Sequence, residues 1–194
     1  MPSSIHEGNI DRALADYAEH ITGIGSSIAG LTGLDLLETI KRRPVLAGPY
    51  PKVTLFEAAN RIMTDLVLLR GMKWLLANRA FPFRIYAIEY GHSNKNDHDI
   101  MAEHKGKALI GEAFNVAPSF YGAKKYKTLK KLRSSNVAAE YKLILANEDA
   151  VRTGYIPQPG AGEYFLFVDI HSSMGRMVPS IERETGGARR RSRE

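Results

Sequence analysis

Residues 98–114 read HDIMAEHKGKALIGEAF, two short apolar runs that are separated by Lys105-Gly106 and carry one carboxylate each. Two such runs joined by a glycine-containing dipeptide predict a β-hairpin with a two-residue turn. Opposed residues then have numbers that add up to 211, which places Asp99 directly across from Glu112. Opposed side chains share one face of the sheet, with Cβ atoms about 4.5 to 5.5 Å apart. Two carboxylates at that distance repel unless a cation neutralises them, so the hairpin predicts a divalent metal site.

The alternative is that either acid lies in water at a frayed strand end. Asp99 is next to a polar loop and could do so. Glu112 is harder to explain in this way, because the apolar residues on both sides of it are typical of a central strand. We therefore expect Asp99 and Glu112 to hold Mg²⁺, an ion that takes one or two carboxylates together with water and substrate phosphate oxygens.

The segments around the hairpin alternate between helical and extended patterns. Apolar residues recur on one broad face of a helix in 53–78 and on one face of a second helix in 119–133. Segments rich in β-branched and aromatic residues predict strands at 81–92, 141–148 and 163–172. Together with the hairpin, these segments indicate an α/β domain with a mixed central sheet flanked by helices.

The same patterns suggest three parts of the chain. Residues 1–50 contain two amphipathic helices followed by a Pro/Gly-rich linker, and we predict a helical extension there. Residues 51–184 form the predicted α/β core. Residues 185–194 contain four arginines and almost no apolar side chain, so we expect this tail to be disordered.

Composition excludes several classes of site. The 194 residues include no cysteine, so disulfides, thiolate zinc sites and a cysteine nucleophile are ruled out. No apolar run approaches the roughly 18 residues of a membrane-spanning helix, and we expect a cytoplasmic protein without a membrane partner. The net charge of +6 suits a polyanionic partner but is also found in ordinary soluble proteins.

The predicted order of a helix, three strands, a helix and a strand resembles the PD-(D/E)XK nuclease superfamily, which includes many type II restriction endonucleases. The resemblance covers roughly residues 53–170 and depends mainly on the order of elements, because the motif is short. It implies a restriction-endonuclease-like αβββαβ core and Mg²⁺-dependent hydrolysis of DNA. Asp99 matches the first motif acid and Glu112 the second, and the resemblance implies a further metal ligand in the backbone carbonyl of Ala113.

The chain departs from the motif at two positions. His98 stands where a proline usually precedes the first acid, and Phe114 occupies the position of the motif lysine. We expect Lys125 to replace that lysine, because it lies within the apolar face of 119–133, and the resemblance implies that motif residues can move to this helix. The alternative is that its stem merely covers the sheet edge. Glu57 could add a metal ligand, or it could pair with Arg61 one helical turn later.

Basic residues cluster after the hairpin, and no acidic residue occurs in 113–139. A one-sign stretch predicts contacts with nucleic-acid phosphates, although a solvated helix surface is the usual reason for a charge run. The predicted nucleic-acid contacts are Lys124, Lys127, Lys130, Lys131, Arg189, Arg190 and Arg191.

A second possible metal cluster consists of His92, Asp97, His98 and His104. Its spacing matches no zinc signature, and neighbouring side chains on a strand point to opposite faces, so we expect loop histidines without a metal.

Taken together, the sequence predicts an Mg²⁺-dependent DNA endonuclease of the restriction type that acts as a homodimer. A non-catalytic nucleic-acid-binding module on the same fold is the main alternative, and Phe114 favours it. A partner-binding protein that uses the N-terminal helices is a third possibility.

Overall fold

The computed structural model describes residues 3–91 and 97–181 of the chain. In chain order, the elements are β1 (Ser4–His6), α1 (Ile10–Thr22), α2 (Gly33–Arg42), α3 (Leu55–Asn78), β2 (Ile85–Ile88), β3 (Ile100–His104), β4 (Lys107–Phe114), α4 (Pro118–Arg133), β5 (Tyr141–Asn147), β6 (Glu163–Val168) and β7 (Gly175–Val178). The predicted helices and strands are all present, and β1 and β7 are additional short strands.

The hairpin forms with the predicted register. Lys105 and Gly106 both have positive φ, 51° and 76°, as a two-residue turn of type I′ requires. Across the ladder, His104 lies opposite Lys107 and Ile100 lies opposite Gly111.

The sheet contains seven strands in chain order among the described residues. The strands from β1 to β4 are antiparallel neighbours, β5 pairs in parallel with both β4 and β6, and β7 is antiparallel to β6. A parallel pair needs a crossover between its strands, and α4 provides the one from β4 to β5. The predicted α/β class with a mixed sheet flanked by helices is therefore confirmed.

Each face of the sheet has its own apolar layer. Alternation along β4 sends Leu109 and Ala113 to the layer that contains α1 and α3. Ile110 and Phe114 belong to the layer beneath α4. Residues of one parity thus face α4, and Glu112 has that parity.

The N-terminal residues, predicted as a helical extension over 1–50, contribute side chains to the same apolar core as α3 and the sheet. Ile5 is fully buried in β1, which pairs with β2. The Tyr17 hydroxyl donates to the buried carboxylate of Asp65 on α3 at 2.6 Å, and the Tyr50 hydroxyl donates to the same oxygen. A buried carboxylate needs hydrogen-bond donors, and here they come from α1 and the linker. The two hydrogen bonds therefore hold α1 and the linker against α3. The predicted tail 185–194 lies outside the described residues.

No helix in the described ranges combines the length and the apolar character needed to cross a bilayer.

The packing of α3 on the sheet leads to a stability prediction. A Cβ added to Gly71 would overlap the side chain of Leu145, which is fully buried. We expect Gly71→Ala to lower the free energy of unfolding by about 1–3 kcal/mol, although alanine favours helices. Gly122 on α4 has open space at the same position, so Gly122→Ala is a matched control that should add up to about 1 kcal/mol. Urea denaturation measures both, and a stabilised Gly71→Ala variant would contradict this packing.

Candidate functional site

The two acids of the hairpin lie close together. Asp99 immediately precedes β3, and its Oδ2 accepts a hydrogen bond from the Ala113 backbone N–H at 2.9 Å. The register of the hairpin, extended by one residue, places Asp99 across from Glu112. Burial, and next the negative charge of Glu112, raise the pKa of Asp99 to about 6. In this register the two carboxylates are cross-strand neighbours on one face of the sheet.

Glu112 makes two contacts through one oxygen. Its Oε1 accepts from the Lys131 ammonium at 2.7 Å and from Nδ1 of His98 at 2.8 Å. The Glu112 side chain is only 12% exposed, so these contacts compensate a carboxylate that has lost most of its water. His98 lies in the loop just before β3, where the sequence predicts it, and its contact with Glu112 could not be read from the sequence.

Lysines of α4 approach the acids from above the sheet. The positive charges of Lys131 and Lys124 counteract the rise in the pKa of Asp99. The Lys124 ammonium also lies 5.7 Å from the ring centroid of Phe114. Lys124 and Lys131 are seven residues apart, close to two helical turns, and therefore share one edge of the helix.

Lys125 does not lie with the acids, which corrects its predicted role. Its ammonium donates to the Tyr155 hydroxyl at 3.0 Å and lies over the rings of Tyr121 and Tyr155. One residue along a helix is a rotation of about 100°, so Lys124 and Lys125 leave opposite edges of the buried face of α4. Lys131 is the lysine that α4 brings to Glu112.

Phe114 explains why the cations come from the helix. Its ring is 2% exposed and packs against Tyr121, with centroids 6.3 Å apart. A lysine at position 114 would be covered by Tyr121 at a high desolvation cost. Lys124 and Lys131 instead reach this face of β4 from α4, and both side chains remain exposed to solvent.

Glu57 is also separate from the acid pair. It forms an ion pair with Arg61 one turn later, as the alternative interpretation predicted. Its helix, α3, belongs to the apolar layer on the opposite face of the sheet from Glu112.

The atoms around the acid pair fit a hard cation. Asp99 Oδ1 and Glu112 Oε2 make no hydrogen bond to any described residue. The N–H and C=O of one strand residue point to the same side, so the Ala113 carbonyl lies on the edge that faces Asp99. An all-oxygen set of this kind suits Mg²⁺, with water and substrate oxygens completing the shell.

No group of three or more His, Asp or Glu side chains within 3–91 and 97–181 is arranged to hold a metal. The ion would therefore depend on the carbonyl and on non-protein ligands. The second possible cluster does not assemble among its described members, since His98 bonds Glu112, while His92 lies outside the described residues.

The predicted nucleic-acid contacts divide by their position on α4. Lys124, Lys127 and Lys131 lie along one side of α4, and Lys131 reaches Glu112, while Lys130 projects from another side. Arg189, Arg190 and Arg191 lie outside the described residues.

Comparisons with protein-family models, with curated proteins and with solved structures found no match to this chain. The geometry of the acid pair and its cations is therefore the basis for assigning a function.

Proposed function

We propose that the protein is an Mg²⁺-dependent endonuclease that hydrolyses phosphodiester bonds of DNA, with the restriction-endonuclease-like core that the sequence predicts. The observation that carries the proposal is the cross-strand pair of Asp99 and Glu112 with the Lys131 ammonium 2.7 Å from Glu112. Acids that share a metal, next to a cation that can face a phosphate, are the parts that phosphodiester hydrolysis needs.

Each residue of the site has a separate role in this proposal. Asp99 Oδ1, Glu112 Oε2 and the Ala113 carbonyl would hold Mg²⁺, which when bound polarises the scissile phosphate and lowers the pKa of an attacking water. Lys124 and Lys131 provide positive charge on the side facing solvent, where negative charge develops on the phosphate oxygens. The Phe114 ring contacts the Lys124 ammonium by a cation–π interaction.

The row of lysines along one side of α4 would bind the backbone of the substrate strand. Lys124, Lys127 and Lys131 would contact successive backbone phosphates, which contributes affinity but no sequence information. Two copies of the chain, each acting on one strand, would cut a symmetric duplex site, and for this reason we propose a homodimer.

A non-catalytic nucleic-acid-binding module is the second candidate function. Phe114 at the motif position favours it, as does the ion pair that already neutralises Glu112. In such a module, the acids would orient Lys131 for phosphate contact, and a metal would add nothing.

One experiment separates the two candidates. Plasmid DNA is incubated with the protein in Mg²⁺ or in EDTA, and the rates are compared for Lys131→Met and Lys125→Met. Both variants remove a charge and keep an apolar stem. We expect cleavage only with Mg²⁺, a loss of about 100-fold for Lys131→Met and a change of less than about threefold for Lys125→Met.

The outcome that favours the second candidate is salt-sensitive DNA binding without cleavage in either buffer. Equal losses for the two lysine variants would instead show that Lys131 has no special role.

A further inference from the structure

His98 uses both of its ring nitrogens inside the protein. The residue is 3% exposed. Nδ1 lies 2.8 Å from Glu112 Oε1, and Nε2 lies 2.9 Å from the Ser135 hydroxyl, which follows the end of α4. The imidazole therefore bridges the second acid of the hairpin and the loop beyond the lysine-bearing helix.

The direction of these hydrogen bonds follows from the groups involved. An ionised carboxylate can only accept hydrogen bonds, so Nδ1 of His98 is the protonated donor and Oε1 of Glu112 is the acceptor. The Val137 backbone N–H donates to the Ser135 hydroxyl oxygen at 3.2 Å, which leaves the hydroxyl proton free to point at Nε2. The Ser135 hydroxyl can therefore donate to Nε2 of His98 while Nδ1 of His98 donates to Glu112.

The contact from His98 is more rigid than the contact from Lys131. The side chain of Lys131 is 49% exposed, whereas that of His98 is 2% exposed. An exposed lysine must lose rotamer entropy to hold one geometry, while a buried ring is already ordered by packing. His98 thus determines where Oε1 of Glu112 lies, and Oε2 is left for another ligand.

We propose that His98 is a positioning residue, which holds the Glu112 carboxylate so that Oε2 and Asp99 Oδ1 can bind a divalent cation together. This inference rests on the proposed function, because it assigns His98 a role toward the metal of that site. Partners that orient a ligating carboxylate typically change metal affinity by about 10- to 100-fold when they are removed.

A matched pair of substitutions tests the inference. The amide nitrogen of asparagine can take the place of Nδ1, and that of glutamine can take the place of Nε2. His98→Asn therefore keeps the donor to Glu112 and loses Ser135, whereas His98→Gln keeps the contact to Ser135 and loses Glu112. Each variant retains one of the two buried hydrogen bonds.

The measurement is Mn²⁺ binding by titration calorimetry without DNA, with ¹⁵N NMR of the wild-type imidazole to identify the protonated nitrogen. We expect His98→Gln to bind Mn²⁺ about 10- to 100-fold more weakly and His98→Asn to remain within about threefold of the wild type. Circular dichroism checks that both variants fold. If His98→Gln does not fold, Ser135→Ala serves in its place, with an expected loss of about three- to tenfold.

The outcomes distinguish this inference from the proposed function. Equal Mn²⁺ affinities for His98→Gln and the wild type, or an Nδ1 that carries no proton, would overturn the positioning role and leave the nuclease proposal intact. A difference between the two variants without any DNA cleavage would support the positioning role and contradict the nuclease. A wild-type protein that binds no Mn²⁺ would overturn both.

Discussion

Asp99→Asn and Glu112→Gln are each expected to lower the rate of Mg²⁺-dependent DNA cleavage by about 10³-fold while leaving DNA binding intact. Each substitution replaces a charged ligand by a neutral amide of the same shape. The cation that the acid pair would share then keeps only one of its two negatively charged ligands. The DNA should bind equally well or more tightly, because a negative charge near the phosphates has been removed. Gel-based cleavage rates and fluorescence anisotropy measure the two effects separately.

Glu57→Gln is the matched control for these variants. It makes the same chemical change in an acid that pairs with Arg61 on the other side of the sheet, and we expect its cleavage rate to stay within about threefold of the wild type. Metal-dependent cleavage that survives in both hairpin variants would contradict the assignment of the site. A large loss of cleavage rate in Glu57→Gln would indicate that Glu57 is a metal ligand.

The second large effect concerns stability in the absence of metal. In EDTA at about pH 8, Asp99→Asn should raise the free energy of unfolding by about 2–3 kcal/mol. The cause is the cost of charging a carboxyl whose pKa is raised to about 6 by burial and by Glu112. An asparagine carries no charge and can still accept the hydrogen bond from Ala113.

The sign of the pH dependence follows from the raised pKa. The folded state binds the Asp99 proton more tightly than the unfolded state, so this carboxyl favours folding below its ordinary pKa near 4. That contribution is lost as the pH rises through about 6. The advantage of Asp99→Asn should therefore be small near pH 4 and largest above about pH 7, as measured by urea denaturation at each pH.

Asp169→Asn provides the control of opposite sign. Hydrogen bonds from the Ser172 hydroxyl and the His171 backbone N–H lower the pKa of Asp169. Its charged form thus favours folding, and the asparagine variant should lose stability at alkaline pH. An Asp99→Asn variant with the same advantage at pH 4 and pH 8 would contradict the raised pKa.

Local rules were sufficient for the hairpin. The positive φ values of Lys105 and Gly106, the alternation of side chains along β4 and the length of the turn are all encoded within 17 consecutive residues. A register set by a two-residue turn leaves no freedom to a distant part of the chain. Asp99 and Glu112 could therefore be paired from the sequence.

The short outer strands could not be predicted in the same way. β1 contains three residues and β7 four, and such segments are too short to show a periodic pattern. Each becomes a strand because a neighbouring strand already offers an unpaired edge. From the sequence, β1 is placed in an N-terminal extension. Its pairing with β2 joins residues about 80 positions apart, and local patterns cannot show a pairing of that range.

The sequence by itself determined the order of elements, the register of the acid pair and the basic character of α4, because each depends on residues close together in the chain. Only the tertiary structure decided that Lys131, and not Lys125, reaches Glu112, and that His98 is buried against it. The rotation of α4 about its axis is set by the packing of Tyr121 and Leu132 on the sheet. A rotation of one residue changes which lysine meets the acids, and no local pattern specifies it.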